Sequence, residues 1–155
     1  MEGHERHFKG MRVAIEEAMK AYSLGEVPVG AAIVKSGKVI GRGHNLKETL
    51  QDPTAHAEMM AIRQAAVHEG SWRILDATMY STLEPCPMCA GAIVMARIPE
   101  LVIGTCDPRT GACGSVMDLV RDERFNHRVS VVTGVMEEEC ASMLEAFFRQ
   151  LRGRT

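Results

Sequence analysis

The sequence contains a small set of side chains whose types and spacing could bind a metal ion and move protons. Cys86 and Cys89 stand three positions apart, a spacing that places both sulfurs on one face of a helix and close enough to share one metal ion. The pair alone is ambiguous, because a redox dithiol, half of a structural zinc site and two ordinary buried cysteines all fit it. Its interpretation depends on the residues that accompany it.

His56 and Glu58 provide that context, since they stand near the start of one predicted helix while Cys86 and Cys89 stand near the start of another. Two helix N-termini can therefore converge, and the positive end of a helix favours the thiolate that a metal requires. A redox dithiol gives no role to His56 or Glu58. No second Cys-x-x-Cys or His pair completes a closed site of four ligands, so zinc bound here would keep an open position, which is typical of catalytic zinc.

An open position on zinc predicts a hydrolytic reaction. Zinc lowers the pKa of a bound water molecule to about 7 and so generates a nucleophile near neutral pH. Glu58 is then available to move the proton. The residues alone thus predict a metal-dependent enzyme with His56, Cys86 and Cys89 as ligands and Glu58 as the proton shuttle.

Two segments, His56-Ala57-Glu58 and Pro85-Cys86-Pro87-Met88-Cys89, resemble the signature of the zinc-dependent nucleobase and nucleoside deaminases. Within that family the chain is similar over nearly its whole length to the bacterial tRNA adenosine deaminases, which convert the wobble adenosine of an anticodon to inosine. Further segments carry this second resemblance: Val27-Pro28-Val29-Gly30-Ala31, Gly43-His44-Asn45, Thr82-Leu83-Glu84, Thr110-Gly111-Ala112-Cys113-Gly114-Ser115, Asn126-His127-Arg128-Val129 and Phe147-Phe148-Arg149.

The resemblance implies a cofactor, a mechanism and partners. One zinc ion per chain would be held by His56, Cys86 and Cys89, and a zinc-bound hydroxide would attack C6 of adenine. Glu58 would accept the water proton and return it to the ring nitrogen and then to the leaving ammonia. The implied partners are a tRNA anticodon stem-loop, whose single-stranded loop eases extrusion of the base, and a second copy of the chain in a homodimer.

The resemblance also implies contacts with the target nucleotide. Asn45 would contact the ribose, and Val29 would help to wall the pocket. Glu58 and the backbone N–H of Ala57 would bond the flipped base. From the residues alone, the simpler role for Asn45 is to end a hairpin strand.

Outside the target nucleotide, Asp107, Asn126 and Phe148 would touch the RNA by the same resemblance. Asp107 with Pro108 could instead form a turn, and Phe148 could belong to the core. After Glu145 the sequence has no acidic residue, which favours phosphate contacts by three arginines. A solvated face is an equal alternative for them. These arginines are Arg149, Arg152 and Arg154.

Apolar periodicity and turn residues predict nine elements that must position these groups. They are a helix over 8–22, strands over 27–35 and 38–44, a helix from 52–54 to 68, a strand over 77–83, a helix from 85–87 to 96, strands over 101–105 and 128–133, and a helix from 137. This order predicts an α/β chain with a central mixed five-stranded sheet and helices on both faces. The resemblance implies the three-layer α/β/α fold of the cytidine deaminases.

Three finer expectations concern particular segments. Residues 106–126 read as an irregular glycine-rich stretch with one helical turn near Asp118. The first helix is predicted to bury Phe8, Met11, Ile15, Met19 and Tyr22. The last helix is predicted to bury Cys140, Met143, Leu144, Phe147 and Leu151, with Phe148 at the margin of that face.

Composition limits the class of protein. With 155 residues, 46% apolar content and a formal charge of −2, the chain is expected to form one domain over residues 1–155 and not a disordered charged tail. Five cysteines without dense spacing argue against a secreted disulfide scaffold. No apolar run approaches the roughly 20 residues of a membrane span, and no targeting segment is recognised, so the expected location is the cytoplasm.

Two rival functions stay open at this stage. A free guanine or cytidine deaminase would share the zinc signature and the fold, but would not need the segments that face RNA. A catalytically silent RNA-binding module is the rival from another class, and the intact Glu58 argues against it.

Overall fold

The computed structural model describes residues 2–153 and consists of five helices and five strands within that range. In chain order they are α1 (Glu2–Ser23), β1 (Gly30–Lys35), β2 (Lys38–His44), α2 (Lys47–Leu50), α3 (Ala57–Glu69), β3 (Ala77–Leu83), α4 (Pro87–Met95), β4 (Glu100–Thr105), β5 (Ser130–Val132) and α5 (Glu137–Gly153). None of the helices in this range is long and apolar enough to cross a membrane.

The five strands form one mixed sheet in the order β2-β1-β3-β4-β5. β1 is antiparallel to both of its neighbours, whereas β3, β4 and β5 are parallel to one another. Ser36 and Gly37 join β1 to β2 with φ angles of 51° and 76°, as a two-residue hairpin turn of this kind requires. The predicted mixed five-stranded sheet is confirmed.

Helices cover both faces of this sheet because successive strand residues point to opposite sides. On one face Ile33, Met79 and Leu101 belong to the same core cluster as buried residues of α3 and α4. On the other face Tyr80 and Val102 pack with buried residues of α1 and α5. The predicted three-layer α/β/α arrangement is therefore confirmed.

Glycines in the strands let the helices approach the sheet closely. A Cβ added at Gly43 in β2 would lie 2.6 Å from the carbonyl oxygen of Ala57, the first residue of α3. At Gly30 in β1 the added atom would lie 1.9 Å from the carbonyl oxygen of Ala14 in α1. The N-terminus of α3 is thus seated directly on β2.

The predicted buried face of α1 is wrong at two positions, since Phe8 and Met19 are 41% and 60% exposed. Small side chains fill that face instead, because they allow the helix to lie against the sheet: Ala14, Ala18 and Ala21, beside Met11. Along α5 the exposed fraction rises from 1% at Cys140 to 48% at Leu151, so Leu151 does not belong to the core.

Element boundaries account for the other corrections. Helix α3 begins at Ala57 and not at 52–54, because Asp52 accepts hydrogen bonds from the N–H and hydroxyl of Thr54 and closes a separate turn. No helical turn forms near Asp118, which instead makes an isolated antiparallel bridge with Cys113. The short helix α2 was not predicted, and β1 and β5 are shorter than predicted.

Candidate active site

The N-termini of α3 and α4 meet at the carboxyl-end edge of β3. His56 is the N-cap residue of α3 and Cys86 that of α4, both with extended backbone angles. Neither side chain caps its own helix, so both are available to another partner. Glu58 and Cys89 lie in the first turns. The two helix starts thus bring together four groups from two segments that lie 30 residues apart in the sequence.

The three proposed metal ligands have separations that fit zinc. Nδ1 of His56 lies 3.6 Å from Sγ of Cys86 and 3.5 Å from Sγ of Cys89. Tetrahedral zinc, with Zn–S of about 2.3 Å and Zn–N of about 2.0 Å, would set nitrogen and sulfur about 3.5 Å apart. Within residues 2–153, the side chains of His56, Cys86 and Cys89 form a group whose ligand atoms lie close enough together to hold one metal ion.

The two sulfurs differ in their protonation. A hydrogen bond from Cys89 lowers the pKa of Cys86 to about 4, assisted by His56. The same interaction, together with burial, raises the pKa of Cys89. The hydrogen bond to Cys86 in turn raises the pKa of His56. A dication between the ligands would favour the thiolate form of both cysteines, because metal binding displaces their protons.

Glu58 is the buried carboxyl group for which the sequence predicts the acid–base role. Its side chain is 4% exposed, and burial raises its pKa to about 7. A carboxyl group that titrates near neutral pH can both accept and return a proton, which suits a general acid–base catalyst. Its place beside the ligands therefore matches the predicted role, which stays a prediction.

A cavity of about 140 Å³ opens beside these groups. It is smaller than the roughly 300–1,000 Å³ pockets that hold drug-sized molecules, so it can admit only a small part of a larger substrate. The predicted site residues that line it are Val29, Asn45, His56, Ala57, Glu58, Cys86 and Asp107. Sequence reasoning assigned no role to the other lining residues, which are Val27, Lys47, Leu83, Glu84 and Thr110.

Asn45 both lines the cavity and supports the chain around it. Its Oδ1 accepts the N–H of Lys47, and its Nδ2 donates to the carbonyl oxygen of Val27. The residue follows the last residue of β2 and is 5% exposed. Asn45 therefore both ends a hairpin strand and lines the cavity.

Asp107 likewise combines a turn with a place at the cavity. Its carboxylate accepts the N–H groups of Arg109 and Thr110 and the hydroxyl of Thr110. The backbone N–H of Asp107 donates in turn to Glu84, which is 2% exposed. An acidic residue directly after an apolar strand was the sequence signal that could have drawn attention to Glu84.

Four predicted RNA contacts lie outside the cavity. Asn126 is exposed in the irregular segment before β5. Phe148 is 40% exposed on α5 and packs edge-on against Phe147, with ring centroids 5.5 Å apart. Arg149 and Arg152 lie with Phe148 along one shallow groove of the same helix. Arg154 lies outside the described residues.

Comparison with known proteins points to one family. The profile of the MafB19-like deaminases matches residues 5–152. The chain is 55% identical over 142 residues to the tRNA-specific adenosine deaminase of Bacillus subtilis strain 168, covering 92% of this chain and 88% of that protein. It is 47% identical over 144 residues to the protein of the same name in Streptococcus pyogenes serotype M18, covering 93% and 91% of the two chains.

Solved structures give the same relationship. A structure from a study of A-to-I editing by tRNA:A34 deaminases at the wobble position of transfer RNA matches with a TM-score of 0.84 and 42% identity, covering 88% of this chain and 99% of that one. The guanine deaminase of Bacillus subtilis matches with a TM-score of 0.60 and 39% identity, covering 63% of each chain.

Proposed function

The chain belongs to the MafB19-like deaminases, and within them to the tRNA-specific adenosine deaminases, and from this membership we propose that it converts the wobble adenosine of a tRNA anticodon loop to inosine. The reaction is a hydrolysis that releases ammonia. The observation that carries the proposal is the high identity to tRNA-specific adenosine deaminases over nearly the full chain. The cavity beside His56, Glu58 and Cys86 supplies a place for the reacting base.

The donor set of His56, Cys86 and Cys89 fits one zinc ion per chain, since two thiolates and an imidazole are ligands that zinc prefers. A zinc ion held by these three residues would supply a nucleophile near neutral pH, since zinc of this kind lowers the pKa of a bound water molecule to about 7.

Glu58 moves the protons of the reaction. Its pKa of about 7 allows it to take one proton from the attacking water and deliver it to the ring nitrogen. It then carries a second proton, from the hydroxyl that has added to C6, to the departing ammonia. The N–H of Ala57, at the positive end of α3, binds the flipped base together with Glu58. Val29 and Asn45 bound the cavity where the base and its ribose would lie.

In this proposal, the RNA outside the target nucleotide lies against the outer surface of the chain. Asp107 stands at the cavity, whereas Asn126 and Phe148 are exposed and free of the core. An exposed aromatic ring can stack on an unpaired base of the loop. The arginines of α5 would contact phosphates next to Phe148.

Three broader assignments belong to the same proposal. The chain works as one deaminase domain over residues 1–155, acts in the cytoplasm where tRNA is processed, and forms a homodimer.

Exposed Trp72 and Met95, at 58% and 71%, share a shallow apolar groove with Ile62 and support self-association. Sedimentation at two protein concentrations tests this, and a monomer at both would contradict the dimer.

The two rival functions, a free guanine or cytidine deaminase and a catalytically silent RNA-binding module, fit these observations less well. The guanine deaminase of Bacillus subtilis is 39% identical and covers 63% of this chain, whereas the tRNA-specific adenosine deaminase of Bacillus subtilis strain 168 is 55% identical and covers 92%. A silent RNA-binding module would not need a buried carboxyl group whose pKa is near 7 beside a metal-ligand set.

A direct experiment uses two synthetic anticodon hairpins, one with adenosine at the wobble position and one with that adenosine moved by one nucleotide. The zinc-loaded protein is expected to form inosine only in the first, as measured by nuclease digestion and chromatography. Glu58→Gln is expected to keep the zinc but remove nearly all turnover, because an amide cannot accept the water proton. Equal conversion of both hairpins would contradict wobble specificity.

A further inference from the structure

The carboxylate of Glu84 is almost completely buried, at 2% exposed, and its hydrogen-bond donors all come from one loop. Oε1 accepts the N–H of Asp107 at 3.0 Å and the hydroxyl of Ser115. Oε2 accepts the N–H groups of Cys113 and Ser115 at 3.0 and 3.1 Å. One side chain therefore holds both ends of the loop over residues 106–115.

The loop is shaped around this carboxylate. A Cβ added at Gly111 would lie 2.3 Å from Cδ of Glu84 and 2.5 Å from the carbonyl oxygen of Asp107, so the backbone passes there only without a side chain. The N–H of Ala112 donates to the carbonyl oxygen of Pro85 at 2.9 Å. Because a buried charge is costly without such donors, the loop conformation and the position of the carboxylate specify each other.

Glu84 also stands next to the proposed metal site. Its own N–H donates to the carbonyl oxygen of Thr105 at 2.9 Å, which extends the pairing of β3 with β4 by one residue. Cys86 follows it by two positions. Glu84, Cys86 and Asp107 line the same cavity. The carboxylate thus connects the ligand-bearing turn to the loop that carries Asp107.

We propose that Glu84 is a positioning residue, whose carboxylate fixes Asp107 at the mouth of the cavity and thereby sets the affinity for the RNA around the target base. The inference rests on the proposed function, because it takes Asp107 as an RNA contact. Glu84 acts through the loop, and the proton chemistry of Glu58 does not involve it.

Glu84→Gln tests this role because it keeps the volume of the side chain while replacing one acceptor oxygen with a donor group. The amide can keep the two N–H groups bound at Oε2, and the hydroxyl of Ser115 can rotate to accept, so the N–H of Asp107 is the donor left without a partner. The Kd and KM for an anticodon hairpin are expected to rise about tenfold. Zinc content and kcat should stay near wild type, as expected for loss of uniform binding.

A double-mutant cycle tests whether Glu84→Gln raises KM through Asp107. If Glu84 acts through Asp107, Glu84→Gln is expected to change KM by less than about twofold when Asp107→Ala is already present. Glu26→Gln is the matched control, since Glu26 is 1% exposed and accepts the N–H groups of Glu48 and Thr49 but none from the loop. Its effect should add to that of Asp107→Ala.

Gly111→Ala provides a second variant, because its new methyl group pushes on the same carboxylate from the loop side. It is expected to reproduce the rise in KM, and it decides the question if Glu84→Gln does not fold. Three outcomes would overturn the role of Glu84. They are an unchanged KM in both variants, a full tenfold rise in KM when Glu84→Gln is added to Asp107→Ala, and loss of zinc in Glu84→Gln. A wild-type protein that neither binds nor deaminates the hairpin would instead contradict the proposed function.

Discussion

At the scale of single residues, the chemistry depends on two pKa values that the fold shifts: burial raises the pKa of Glu58, and a hydrogen bond from Cys89 lowers the pKa of Cys86. Glu58 is 4% exposed and has a pKa of about 7, while Cys86 has a pKa of about 4. At neutral pH the site therefore already offers one thiolate for a metal and one carboxyl group that can exchange protons. The same burial makes the stability of the protein sensitive to pH.

The contribution of Glu58 to the stability of the metal-free protein is expected to fall as the pH rises from 5 to 8. The folded state raises the pKa of Glu58 from 4.5 to about 7, so it holds the proton more tightly than the unfolded state. The resulting stabilisation is complete below pH 4.5 and disappears as the pH passes through about 7. It amounts to at most about 3 kcal/mol.

Glu58→Gln removes this titration, so the free energies of unfolding of the two proteins should converge at pH 5 and differ at pH 8 in favour of the variant. Urea unfolding after chelator treatment measures both values. A difference that does not change between the two pH values would contradict the raised pKa.

Cys86→Ser is expected to lower the zinc content sharply, because the proposed site has three protein ligands and a serine hydroxyl is a poor ligand for zinc. Metal analysis of the purified variant measures this directly. Cys106→Ser is the control, since that thiol is exposed and lies outside the ligand group. Equal zinc content in Cys86→Ser and wild type would contradict the ligand assignment.

At the scale of elements, the position of α3 depends on how closely it approaches β2. Gly43→Ala would place a methyl group 2.6 Å from the carbonyl oxygen of Ala57 and push away the helix start that carries His56 and Glu58. We expect a loss of about 1–3 kcal/mol in stability, as for other overpacked sites, together with weaker zinc binding. Thermal unfolding and metal titration measure the two effects.

Gly91→Ala is the matched control for that change. Gly91 lies inside α4, and an added Cβ there meets no atom within 4 Å. Alanine should stabilise the helix by about 0.5–1 kcal/mol. Comparable destabilisation by both substitutions would show that the close approach of α3 to β2 does not determine the site.

Much of the fold and the metal-ligand group could be predicted from the sequence because their signals are local. The spacing of Cys86 and Cys89, and the turn residues Ser36 and Gly37, act over a few positions. Lys47 and Glu84 could not be assigned to the cavity, because the contacts that place them there come from distant segments. The exposure of Phe8 was missed for a similar reason, since it depends on how α1 lies on the sheet.

At the scale of the whole molecule, RNA binding must extend beyond a cavity that admits only one small group. Replacing Arg149, Arg152 and Arg154 with alanine is expected to weaken hairpin binding without loss of zinc. The dependence of log K on log salt should flatten by roughly 0.7 for each lost phosphate contact. Binding titrations at several salt concentrations measure this slope.

Lys38→Ala is the control for the arginine variant, because Lys38 is exposed at the far end of β2 from Asn45, about 20 Å away along the strand. It should leave the slope unchanged. A triple arginine variant with the affinity and slope of the wild type would assign these side chains to a solvated face, and RNA binding would then rest on Asp107, Asn126 and Phe148.

The proposed substrate of this deaminase is an adenosine within an anticodon loop. The most direct test offers free adenosine, cytidine, guanine and an anticodon hairpin with a wobble adenosine to the zinc-loaded protein, and measures ammonia release from each. We expect rapid release from the hairpin, with inosine as the product, and little from the three free compounds. Release from guanine with none from the hairpin would contradict the proposed substrate.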